Sequence, residues 1–180
     1  GKEQKPVKCQ LIQEKGGIPV LYWVLDGVTS AGTTREFVAR LVRTDAGEET
    51  MRVEDTGKGL ILKQNGRNVL QYNYAFVSPP AGIDPAYGRS GFIHPAYSPS
   101  GNVLTTIQPK DHYHHYGIWN PWTRIEYDGK MYDLWNLGDK QGTVRARKID
   151  QVFQGSICAG YTARLDHCIF GAQGEKVIMD

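Results

Sequence analysis

The densest chemistry in the chain lies in Pro109-Lys110-Asp111-His112-Tyr113-His114-His115-Tyr116-Gly117-Ile118-Trp119. The protein has five histidines, and three of them fall between positions 112 and 115. An imidazole titrates near pH 6.5, so it can take or give a proton at neutral pH, and its neutral form ligates metals. If this piece is extended, His112 and His114 project to one face about 7 Å apart along the strand. They can then share a divalent metal, with a third ligand such as His94 or Asp111, while His115 points the other way. An acid–base site asks for less. His94 and one of His112 or His114 would flank a substrate, with Asp111 orienting one ring. A third arrangement carries no chemistry: the histidines bond backbone carbonyls and fix a turn after Pro109. Spacing alone leaves the three open.

Aromatic residues crowd the same region, from Tyr72 to Asn136. Trp119, Trp122 and Trp135, with Tyr113 and Tyr116, offer flat faces on which sugar rings can stack. The hydroxyls of such a ligand need convergent polar partners, and Asn120, Arg124, Asp133 and Asn136 are near in sequence. The same aromatics equally suit a protein core. Arg89 follows Tyr87-Gly88. It can hold an anionic or hydroxyl group bidentately, or simply staple its loop.

The elements that must position these residues read as strands. Phe37–Val42, Gln71–Phe76 and Thr143–Arg147 alternate apolar and polar side chains with period two. Asn65-Gly66, Ser78-Pro79-Pro80, Ser98-Pro99-Ser100-Gly101, Asp128-Gly129 and Gly138-Asp139 are turn signals, and Asp128-Gly129 predicts a two-residue hairpin. The strongest helical candidate, Thr34–Arg43, is β-branched enough to favour a strand. Many short strands with regular turns predict an all-β protein of sandwich type. Residues 1–48 read as an N-terminal β segment, or the end of a preceding β domain, around a loop at Asp26–Thr34. That loop lacks the Gly-Lys-Ser/Thr ending of a phosphate cradle. A boundary is expected near Ala46–Glu49, with a second unit over 49–180.

Composition narrows the function classes. Lys plus Arg is 21 and Asp plus Glu is 19, so a net charge of +2 gives no reason to expect nucleic acid or a membrane surface. The nearest basic patch, Arg145, Arg147 and Lys148, reads as the wet face of a strand. No apolar run approaches the roughly 20 residues of a membrane span. Cys9, Cys158 and Cys168 show no zinc spacing; Cys158 and Cys168 pair across a hairpin, or all three are buried free thiols. Gly1 has the look of a residue left by tag removal, so a leader is expected to be missing. The chain also stops inside what reads as a strand, as a fragment would.

Four stretches resemble the PmoA-like family, a soluble domain family labelled after methane oxygenase. They are Tyr72–Phe76, Arg89-Ser90-Gly91-Phe92-Ile93-His94-Pro95, Tyr97-Ser98-Pro99-Ser100-Gly101 and Asp111–Trp119, and the resemblance covers about residues 58–180. It implies a β-sandwich like the galactose-mutarotase supersandwich, truncated here at its C-terminal end. It also implies a periplasmic or extracellular bacterial protein of carbohydrate metabolism. It points to His94, His112, His114 and His115 without assigning them roles. Taken together, the expectation is a cleft for a sugar, sugar derivative or oligosaccharide, with proton-transfer chemistry. His94, His114 and Asp111 would be catalytic, and Arg89, Trp119, Trp122 and Tyr97 would contact the ligand. One alternative is a non-catalytic carbohydrate-binding or interaction module. The other is an enzyme using a divalent metal on His112 and His114.

Overall fold

The computed structural model describes residues 5–14, 16–40, 50–120 and 122–179. Twelve strands form among them, and every strand pairing is antiparallel. β1 (Cys9–Gln13) and β2 (Pro19–Trp23) make an N-terminal hairpin. β3 (Met51–Asp55), β4 (Gly59–Gln64), β5 (Arg67–Asn73), β6 (Phe92–Ala96) and β7 (Ile118–Trp119) form one five-stranded sheet in sequence order. β8 (Ile125–Tyr127) and β9 (Lys130–Tyr132) are a second hairpin. β10 (Gly142–Phe153), β11 (Gly160–Gly171) and β12 (Gly174–Met179) make a three-stranded sheet.

Side-chain alternation explains how the two larger sheets meet. Leu60 lies opposite Tyr72, Leu62 opposite Leu70, and Tyr72 opposite Ile93. Opposed residues share a face, so these side chains form one apolar surface. It packs on Ile149, Tyr161 and Ala163 of the three-stranded sheet. The Tyr72 and Tyr161 rings stack with centroids 4.5 Å apart. Two antiparallel sheets joined through such an interior are a β-sandwich, as the strand patterning predicts.

The opposite face of the five-stranded sheet carries Phe92 and Trp119, which oppose each other across β6 and β7. That face is covered. Phe92 packs with Tyr116 and Leu137, flanked by Val77, Tyr87 and Ile107. These come from the connections 74–91, 97–117 and 133–141, so the chemically dense segments form a cover over the sheet rather than free loops.

Both dipeptide turn signals flanked by strands are realised. Asn65-Gly66 and Asp128-Gly129 have φ of 50° and 78°, and 50° and 68°, the pair of positive values a two-residue hairpin requires. Other expectations are corrected. Phe37–Arg40 is irregular, neither strand nor helix, and Leu41 and Val42 lie outside the described residues. Period-two alternation does not by itself supply the ladder that makes a strand. The Gln71–Phe76 strand ends at Asn73, and Phe76 is exposed. The boundary expected at 46–49 also lies outside the described residues. All three cysteines are free; only Cys168 is buried, Cys9 being exposed and Cys158 half-buried. Cys168 lies opposite Thr143 on β10, which separates it from Cys158 before the start of β11. Among the described residues, no helix is long and apolar enough to cross a membrane.

Candidate functional site

The histidine segment is a turn, and backbone bonds show why. The isolated pairings Tyr97–Val103 and Ile107–Tyr116 narrow the connection from β6 to β7. At its neck the Gln108 amide donates to the His115 carbonyl at 2.8 Å, and Gln108 takes a left-handed φ of 49°. His112 N–H then donates to the Pro109 carbonyl and His115 N–H to the His112 carbonyl, at 2.9 and 3.0 Å. Proline presets the turn φ at the start of this run. The extended reading of His112-Tyr113-His114 is therefore wrong, and His115 does not point away. Its ring stacks on His112 at 4.9 Å and 16°, and meets His114 edge-on at 4.4 Å. Asp111 does orient a ring: its Oδ2 is 3.1 Å from Nδ1 of His112, at an exposed position.

This packing bears on the metal reading. Ring nitrogens present their lone pairs in the ring plane. His112 and His114, the pair expected to share a metal, lie with ring centroids 5.7 Å apart at an interplanar angle of 67°. Among the described residues, no three His, Cys, Asp or Glu side chains are grouped to hold a metal ion.

Two tryptophans complete the ring cluster. Trp119 lies 5.7 Å from His115 and 5.1 Å from Trp135. Trp135 lies 6.0 Å from His115 and 6.5 Å from His114. Asp133 fixes Trp135 by accepting the Trp135 and Asn136 amides at 2.7 and 3.2 Å. The remaining sequence candidates go elsewhere. Trp122 is 41% exposed; it donates to Asn120 Oδ1 and meets His167 edge-on at 5.4 Å. Tyr113 leans on Tyr87, and Tyr116 packs in the core against Phe92 at 4.7 Å. Tyr97 follows β6 at the end away from Trp119, with its amide bonded to Val69. His94 makes no ring contact among the described residues; its Nδ1 is 2.9 Å from Thr105 Oγ1, and burial lowers its pKa below 6.5.

Arg89, which precedes β6, is 1% exposed. Its backbone pairs with Val77 in both directions, which draws the side chain inward. Nε, Nη1 and Nη2 are all buried without a hydrogen-bond partner. Burial pulls its pKa from 12.5 down to about 10. Its charge acts on Tyr116, His114 and His167. Tyr116, fully buried, donates its hydroxyl to the Tyr87 carbonyl at 2.6 Å and accepts from Gln108 Nε2. His167 is 5% exposed, and its ring lies against the backbone of Leu165 and Met179. Trp119 Nε1 is buried without an acceptor. Burial first, and then the neighbouring His115 and His112, hold the His114 pKa below 6.5, with Asp133 opposing. Burial therefore favours the neutral form of His114.

Sequence reasoning passed over His167, and it counted Trp135 among the stacking aromatics without naming it as a ligand contact. His167 stands alone on β11, opposite Val144, and carries no local signal. Asp133-Leu134-Trp135-Asn136 does carry one, since an aspartate often caps the amides two and three residues on. Two cavities, of about 230 Å³ along Ala146–Ile149 and about 490 Å³ beneath the N-terminal arm, touch no residue of the ring cluster.

The geometry defines an all-β sandwich whose covered outer face carries a His–Trp ring cluster, with a buried arginine before β6. Residues 60–180 match the model of DUF6807, a family of unknown function, and the chain belongs to that family. This overturns the PmoA-like resemblance, since all four stretches quoted for it lie within the matched residues. The supersandwich, the exported location and the carbohydrate context it implied lose that basis. No curated protein and no solved structure matches the chain.

Proposed function

We propose that the ring cluster is a ligand site for a sugar or sugar derivative, and that His114 transfers a proton there. The observation that carries this is the contact of half-buried His114 and His115 with Trp135 and Trp119 in one contiguous set. Indole faces pack on the C–H faces of a sugar ring. A neutral imidazole beside them accepts a proton from a carbon or hydroxyl, as epimerisation, elimination or hydrolysis requires. Asp111 acts one step removed, through His112. His94 stands on the adjoining strand as the second proton carrier.

The test is proton NMR in D₂O with a panel of mono- and disaccharides. Solvent deuterium entering one carbon position, or bond cleavage, that is lost in His114→Ala supports the reading. Unchanged turnover in His114→Ala sinks it. Binding that survives His114→Ala, without turnover, but disappears in Trp119→Ala would make the protein a binding module instead.

A further inference from the structure

We infer that Arg89 is the anchor for a carboxylate, so that the ligand of the ring cluster is an acidic sugar rather than a neutral one. The inference rests on reading the cluster as a ligand site, and it starts from a count of donors against acceptors. Arg89 offers five N–H groups and accepts nothing. All three of its nitrogens are buried and unbonded. Trp119 Nε1 adds another buried donor without an acceptor. The one hydroxyl whose charge state Arg89 affects, that of Tyr116, already donates to Tyr87 and accepts from Gln108. Among the described residues, burial and Tyr116 are what move the Arg89 pKa, and no carboxylate joins them. A protein interior keeps a cation in such a setting at a cost unless something supplies acceptors and charge.

Several ligand chemistries meet that need unequally. A hydroxyl supplies one oxygen and no charge. A carboxylate supplies two coplanar oxygens that match the guanidinium fork, and one negative charge. A phosphate brings nearly two negative charges. Arg89 itself supplies one positive charge, which a carboxylate matches one for one. No lysine acts on Arg89, His114 or His167. The single-charge match favours the carboxylate. The guanidinium is sealed in this conformation, so the ligand reaches it by displacing the His turn, which is held by three backbone bonds at residues 108–115. The charge of Arg89 is felt at His114, which links a carboxylate held there to the ring cluster.

The experiment is calorimetric titration of the full chain with sodium galacturonate, sodium glucuronate, galactose, glucose and inorganic phosphate. Arg89→Lys and Arg89→Met are run alongside, with circular dichroism to check folding. The expected result is a uronate bound at least tenfold more tightly than its neutral parent. That preference should shrink in Arg89→Lys and vanish in Arg89→Met. Equal affinity for uronate and parent overturns the carboxylate anchor and leaves the sugar site standing. Arg89-dependent binding of phosphate tighter than either uronate overturns the acidic-sugar assignment in favour of a phosphorylated ligand. A preference for uronate that persists in Arg89→Met moves the anchor elsewhere and overturns the role of Arg89. Binding of none of the five overturns both this inference and the sugar-site reading.

Discussion

Replacing Arg89 by methionine should stabilise the ligand-free protein. Most substitutions at a 1% exposed position destabilise, so the sign alone is informative. The magnitude follows from the guanidinium's environment. A pKa of about 10 instead of 12.5 means that the fold disfavours the charged form by about 3 kcal/mol at pH 7. The sign is fixed by linkage. The group is protonated in both folded and unfolded chains below pH 10, so the full penalty is present there. It is relieved only as pH rises through the folded value toward the unfolded one. Methionine has a comparable linear stem and no charge to desolvate, and comparable exchanges of unpaired or poorly paired buried ions have stabilised proteins. Some packing is lost, so about 1–3 kcal/mol of added stability is expected. That corresponds to a rise in Tm of roughly 2–10 °C for a chain of this size. Urea and thermal melts followed by circular dichroism measure it, at pH 7 in a buffer free of carboxylates and phosphate. With a uronate in excess the order reverses, because only the parent gains from binding. A loss of 2 kcal/mol or more in ligand-free Arg89→Met would refute the reasoning, since it would mean that the guanidinium is bonded in the native protein.

Three further outcomes test the site's construction. His94, His114 and His167 are held below 6.5, chiefly by burial, so the unfolded chain takes up protons before the folded one as pH falls. Urea midpoints should hold above pH 6.5 and decline as pH drops from there through the folded values. His167→Gln should flatten that decline, and an unchanged slope in this variant would discount its part. Tyr116→Phe leaves the Tyr87 carbonyl and the Gln108 amide without their shared partner and should cost about 1–3 kcal/mol by denaturant titration; a neutral result would mean that water replaces the hydroxyl. Gly117 joins the His turn to β7 at a φ of +55°, and a Cβ there would lie 2.3 Å from the Ile93 carbonyl oxygen, in a strand fixed by pairing with β7. Gly117→Ala should therefore cost more than about 2 kcal/mol and shift the His114 and His115 ring resonances by NMR; wild-type stability would show that the joint is loose.

The sequence by itself determined the elements whose causes are local. Alternation in Thr143–Arg147 is the alternation of β10, and Asn65-Gly66 and Asp128-Gly129 turn the chain because few other residue pairs accept two positive φ values. Crowding of histidines at 112–115 and of tryptophans after 118 marked the region of interest, because residue type and proximity are legible in one dimension. Partnership is not. Alternation in Phe37–Arg40 promised a strand where the described residues form none, and Gln71–Phe76 was cut short where the chain leaves the sheet. H-x-H spacing implied a shared face only on the assumption of extended backbone, and the turn bonds from Pro109 to His115 removed that assumption. Above all, tertiary structure decided which candidates meet. It joined His114 and His115 to Trp119 and Trp135, sent Trp122 to His167, and left Tyr97 at the far end of β6. It buried Arg89 with no partner, a fact invisible in Tyr87-Gly88-Arg89, because desolvation depends on everything packed around a group and not on the residues beside it in the chain.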